Sequence, residues 1–301
     1  MTETGERVAP SGAKIDGVLF IDANQYLDLY RTGTGKKLLA PLKELEDHIF
    51  LTATVAEEVQ RRKVEIAASF LVAEFKKLEL RKLSVPDHLF GTAGQGMQER
   101  LQAIRNDVEA TSEELLRLAH DLLGQISRSE DEVSKALEGI FAKAVQHAPD
   151  EILRARERKE RGNPPGKRDG PLGDQLSWEQ ILSRCKDKSR LWIITRDGDY
   201  ATNYGGKLFL NAALYKNLAE LREPAPDVRC YDNIPDGIKD FADTVDVKAE
   251  KLPNPEETEQ IKKEQEALPS LAWMPWFTPS MVRRDSRLAP GTEILGLNYD
   301  V

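Results

Sequence analysis

Five residues near the start, Gly17-Val18-Leu19-Phe20-Ile21, run apolar without a break and stop at Asp22. A half-exposed strand alternates apolar with polar. An unbroken run suits a strand covered on both faces, the situation of a parallel sheet between helices. A second such run, Leu191-Trp192-Ile193-Ile194-Thr195, stops at Arg196-Asp197. His48-Ile49-Phe50-Leu51-Thr52 is a third strand candidate, and Val228–Tyr231 a short last one. Helical stretches lie between them, around Asn24–Leu29, through Leu38, Leu39, Leu42 and Leu45, from about Val55 to Leu83, and from Asn211 to Arg222. A terminal helix is expected over 234–244. Strand, helix, strand, helix is the order of an α/β fold with a central parallel sheet.

From Gln98 to about Arg161 the pattern is almost purely helical, and Ser129-x-x-Glu132 reads as a capping box that opens a second helix there. These helices either form an antiparallel hairpin inserted at about 98–161 or simply cover the sheet. Residues 1–14 read as a polar arm and 15–245 as the folded domain. Beyond about 248 Lys, Glu and Pro dominate, so 246–301 reads as a linker, flexible or helical, followed by the aromatic segment Trp273-Met274-Pro275-Trp276-Phe277.

Two cysteines, Cys185 and Cys230, are too few for a disulfide scaffold or a zinc ribbon. Four histidines without HxxxH or HxH spacing argue against a zinc hydrolase. No apolar run approaches the ~20 residues of a membrane span, and no apolar signal region opens the chain, so a cytoplasmic protein is expected. A net charge of −8 excludes coating of nucleic acid by bulk positive charge and leaves room for a local basic groove.

Carboxylates recur at the ends of elements. Asp22 and Asp197 end strands, Glu57 and Glu58 open the helix after the second strand, and Asp174 opens the helix Gln175–Leu182. In open parallel sheets the carboxyl ends of strands share one rim, which is the ligand crevice. Carboxylates gathered there repel unless a cation neutralises them, and an all-oxygen site suits Mg²⁺ or Mn²⁺. Plainer roles exist for each. Asp22 or Asp174 serves equally as a helix N-cap, Asp197-Gly198-Asp199 as a turn, and Glu57 as the second half of a Thr54-Val55-Ala56-Glu57 capping box. The last reading leaves Glu58 as the freer carboxylate. Asp22-Ala23-Asn24 also resembles a DxD phosphatase motif, but Asn24 replaces its second carboxylate.

The stretches LFIDANQYLDLY, TATVAEEVQRR, GDQLSWEQIL and WIITRDGDY, in this order, resemble the PIN-domain nucleases. The loop RERKERGNPPGKRDGPLGD is similar to that of larger PIN-like proteins with a basic, PPGK-containing loop before the third acidic motif. The resemblance covers about residues 17–245. It implies a three-layer α/β/α fold and a Mg²⁺- or Mn²⁺-dependent phosphodiesterase, usually acting on RNA, single-stranded or structured. It matches Asp22, Glu58, Asp174 and Asp197 to the catalytic, metal-binding carboxylates, with Asp199 a further ligand candidate. Asn24 and Thr195 fall at supporting positions, and Asp169 and Glu57 are further supporting candidates. A toxin or defence effector held by a protein partner is the biological setting that the analogy suggests.

Arg154, Arg156, Arg158, Lys159, Arg161, Lys167 and Arg168 crowd the segment before Asp174. Either they form a solvated, ion-paired helix face or they attract a phosphate backbone. On the second reading Arg158, Arg161, Lys167 and Arg168 contact RNA. Trp178 and Trp192 read as core. Trp273 and Trp276 either dock on the same chain or, like the helical insertion, meet a protein partner or a second copy. A non-catalytic PIN-like binding module and a structure-selective DNA nuclease are the competing functions.

Overall fold

The computed structural model describes residues 16–78 and 94–268. The arm at 1–14, the end of the helix expected to reach Leu83 and the aromatic segment Trp273–Phe277 lie outside the described residues. Strands β1 (Val18–Ile21), β2 (Ile49–Phe50), β3 (Arg190–Ile194) and β6 (Asp227–Tyr231) form a parallel sheet in the order β2-β1-β3-β6. β1 is buried along its whole length, as is β3 after its first residue, so the two unbroken apolar runs are the two central strands. The edges are short or half-buried, and Val145 extends the sheet beyond β2 by bridging to Thr52.

In this parallel register Phe20 pairs with Ile193 and Leu19 with Trp192, which sorts side chains to opposite faces. On the first face Phe20 stacks on Tyr200, which in turn meets Trp178 of α7 (Gly173–Cys185) edge-on. On the other, Trp192 meets Phe241 of α9 (Ile234–Val245) edge-on at 5.1 Å. A Cβ on Gly237 of α9 would lie 2.4 Å from Ile194 Cδ1, so helix and sheet approach closely there because position 237 has no side chain. Helix, sheet and helix are thus the three expected layers.

The remaining helices wrap this core. α1 (Ala23–Asp28) follows Asp22 directly, α2 (Lys36–Glu44) packs on α5 (Glu132–Phe141), and α6 (Pro149–Glu160) packs on α7. The partner of the 34-residue α4 (Gly94–Ser127) is α3 (Ala53–Leu78), so the expected hairpin within 98–161 is replaced by an α3–α4 pair, with α5 and α6 covering the body. Ser129 does not cap α5. It takes a left-handed φ of 57° and accepts from Lys63 Nζ at 2.6 Å, while Asp131 is the N-cap, accepting from Ser134 N–H.

One further element is absent from the sequence reading, and another takes the helical form that the reading left open. Ala201–Tyr204 (β4) and Lys207–Leu210 (β5) form an antiparallel ribbon between β3 and α8 (Ala212–Leu221). Pro255–Glu266, within the expected linker, forms α10 and docks on the body. Its Ile261 and Gln265 are buried, Glu264 accepts from Thr34, and the Gln265 carbonyl accepts from Arg196. Among the described residues no helix is long and apolar enough to cross a membrane.

Candidate active site

The chain leaves β1 for β2 on one side and later enters β3 on the other, so β1 and β3 flank the point where strand order reverses. Open parallel sheets place their ligand crevice there, beyond the carboxyl ends of the strands. Asp22 follows β1 and its N–H donates to the Ile194 carbonyl at 3.0 Å, which ties the two strand ends together. One Asp22 oxygen accepts from Ala23 N–H at 2.7 Å, making Asp22 the N-cap of α1. The other accepts from Asn24 Nδ2 at 2.5 Å and Thr195 Oγ1 at 2.6 Å. Asn24 and Thr195 therefore hold the Asp22 carboxylate in place, whatever it binds.

Asp197 lies just past the end of β3. Its carboxylate accepts from Asp199 N–H at 2.9 Å, so the turn reading of Asp197-Gly198-Asp199 is also correct. Asp174 does not cap α7. It sits in the first turn behind Leu172, which makes no side-chain cap bond. Glu58 is placed by a hydroxyl cluster. Thr52 Oγ1 accepts from Val55 N–H at the start of α3, and Thr54 Oγ1 meets Ser177 Oγ at 2.8 Å. Thr54 is thus committed to α7 rather than to a capping box, and Glu57 is exposed. Glu58 lies one turn beyond Thr54, and Asp174 one turn before Ser177, so the cluster brings both toward one rim. Glu58 also pairs with Arg62 at 2.9 Å.

The four carboxylates feel one another. Burial first, then the charges of Glu58 and Asp197, push Asp22 up to about 7 against the Thr195 hydrogen bond. Burial, then Asp22, Asp197, Glu58 and Asp199, push Asp174 up to about 8. Burial also raises Asp197, with the Asp199 and Glu58 charges adding and the Lys167 charge opposing. Tyr200, fully buried beside the cluster with its hydroxyl near the Asp174 carbonyl, is raised well above its ordinary value by burial and the charges of the same four groups. Tyr200 is not among the residues expected from sequence. Its place directly after the acidic turn is the one available signal, and nothing in Asp197-Gly198-Asp199-Tyr200 tells a buried tyrosine from an exposed one.

The PPGK loop closes over Asp174. Gly166 has a φ of +83°, a conformation that favours glycine, and its backbone lies so close to Asp174 that a Cβ there would stand 3.0 Å from Asp174 Oδ2 and 3.1 Å from its Cβ. The loop is held from behind. Arg158, nine-tenths buried, donates to the Pro164 carbonyl and pairs with Glu179 at 2.8 Å, and Lys159 donates to the Gly170 carbonyl. This corrects the expectation that Arg158 contacts RNA: its guanidinium is spent on the fold. Arg154 is likewise engaged with Asp150 and Glu179, and Arg161 is exposed beside Glu157 at 3.8 Å. Lys167 and Arg168 are exposed on the loop. Asp169 is exposed too, and is not among the charges acting most on the buried carboxylates, so the structure does not bring it into the cluster.

The donor set fits a hard divalent cation in its chemistry: acidic oxygens from four segments, held in mutual repulsion. Both side-chain polar atoms of Gln175, and Asn24 Oδ1, are buried without a hydrogen-bond partner, which leaves polar capacity for an additional occupant. Among the described residues, however, no three acidic side chains close on one point as a metal-ligand group.

A family model described as a PIN like domain matches residues 18–199, a span that contains Asp22, Glu58, Asp174, Asp197 and Asp199. No curated protein and no solved structure matches the chain.

Arg158→Ala, which leaves the buried Glu179 with Arg154 as its cation and releases the Pro164 carbonyl of the loop, is expected to cost roughly 2 kcal/mol of stability in denaturant titration, and Lys167→Ala less than about 0.5 kcal/mol. In the metal-free protein Asp22 and Asp174 hold protons more tightly folded than unfolded. Their contribution to stability is therefore fully present below about pH 4 and is lost as pH rises through 7 to 8. Thermal melts across that window should show the fall, flattened in Asp174→Asn.

Proposed function

Since the chain belongs to the PIN-like domain family, whose members are typically nucleases, we propose that it is a metal-dependent phosphodiesterase that hydrolyses RNA. The observation that carries this reading is the electrostatic coupling of Asp22, Glu58, Asp174 and Asp197 at the strand-order reversal. Asp22, Asp174 and Asp197 would hold Mg²⁺ or Mn²⁺, with Glu58 sharing it and Asp199 flanking. Such an ion, when bound, supplies Lewis-acid activation of water and countercharge for a phosphodiester.

The chain's own residues do the rest. Thr195 and Asn24 fix the Asp22 carboxylate by hydrogen bonds. Gly166 lets the loop backbone approach Asp174; the same loop exposes Lys167, whose charge acts on Asp197, and Arg168, and both would attract the phosphate backbone. Arg161, at the C-terminal end of α6, is a further exposed cation. One observation favours the alternative of an assembly module without chemistry: the acidic groups do not already converge as a ligand set among the described residues.

Labelled single-stranded RNA and DNA, incubated with Mn²⁺, Mg²⁺ or EDTA, decide between them. The proposal expects metal-dependent cutting of RNA that falls at least about a hundredfold in Asp22→Asn and Asp174→Asn. Cutting of DNA alone would move the substrate assignment. Metal-independent cutting, or none by the parent, would overturn the proposal.

A further inference from the structure

The β4–β5 ribbon springs directly from the carboxylate rim: Asp197, Asp199 and the buried Tyr200 lead straight into Ala201. Asn211 N–H donates to the Tyr200 carbonyl at 2.8 Å and closes the ribbon at its base. At the tip Gly205 and Gly206, with φ of 61° and 80°, make the two-residue turn that matches strand twist. The register pairs Thr202 with Phe209 and Tyr204 with Lys207. These four side chains share one face, and Ala201, Asn203, Leu208 and Leu210 share the other.

The two faces differ. Ala201 is buried, and Leu208 and Leu210 are half-buried. The opposite face carries the ribbon's two aromatic rings into solvent, Tyr204 81% exposed and Phe209 50% exposed. They are diagonal neighbours, within reach of each other on a two-stranded ribbon. Lys207 lies over the Phe209 ring at 5.5 Å from its centre. A two-stranded ribbon is marginal by itself, so burying these rings would have been the stabilising arrangement.

We propose that this face is a stacking platform for the unpaired bases of a single-stranded RNA whose phosphodiester lies at the carboxylate rim. The inference rests on the phosphodiesterase reading and adds to it a substrate form. Flat exposed rings with a cation beside them bind bases by their π-faces, without regard to sequence. A duplex keeps those faces inside its own stack, so the platform selects single strands. The strands reach roughly 13 Å from base to tip, the length of about four stacked nucleotides.

The test uses the full chain in EDTA, where metal-dependent cutting is off, with a single-stranded RNA oligonucleotide carrying 2-aminopurine. The parent is expected to quench its fluorescence on binding. Tyr204→Ala combined with Phe209→Ala should abolish the quench and weaken affinity at least about tenfold, and Tyr204→Phe should retain both. An abasic oligonucleotide of equal length should bind parent and double variant alike. Equal affinity of parent and double variant for the base-bearing RNA overturns the platform, as does equal loss on the abasic strand or no binding by the parent. Base-dependent binding in a protein that cuts nothing in any metal would leave the platform standing and remove the phosphodiesterase reading.

Discussion

Repulsion among buried carboxylates is the constraint around which this chain is arranged. Asp22 and Asp197 follow the two central strands, and parallel pairing of β1 with β3 brings their ends together. Glu58 and Asp174 join them from the starts of α3 and α7, set by the Thr52–Thr54–Ser177 hydroxyls. Burial makes the charges of Asp22, Asp174 and Asp197 costly, and the neighbouring acidic groups make them more so. A fold that kept these groups only for stability would do better with apolar or amide side chains at the same positions.

The surroundings hold that repelling set in place. Tyr200 fills the space between Phe20 and Trp178, directly under the cluster. On the far side of Asp197, Arg196 pairs with the buried Asp28, which also binds Arg31, and the Gln265 carbonyl of α10 accepts from Arg196. The basic segment before Asp174 divides its work. Arg158 and Lys159 anchor the loop and Arg154 ties α6 to α7, while Lys167 and Arg168 remain at the surface.

The parallel sheet is legible in the sequence because its central strands are buried on both faces and so carry no alternation. The strand-end carboxylates are legible for the same reason, since an acid closing an unbroken apolar run stands out. The ribbon is not: Ala-Thr-Asn-Tyr and Lys-Leu-Phe-Leu are four residues each, and only the Gly205-Gly206 turn signals a hairpin. The pairing of α4 with α3 is hidden because periodicity shows that a helix has an apolar face and not what covers it. Arg158 misleads because a charge run does not reveal which member is turned inward onto a buried Glu179. The Ser129 cap fails because Asp131, two residues on, is the better-placed acceptor.

Calorimetric titration of Mn²⁺ into the metal-free protein at pH 7, repeated in buffers of different ionisation enthalpy, tests the coupled carboxylates most directly. With Asp22 raised to about 7 and Asp174 to about 8, binding should release about one proton or more, and the release should vanish at about pH 9.5. Asp174→Asn should lose most of it. Binding with no proton release at pH 7, or binding unchanged in Asp174→Asn, would contradict the account.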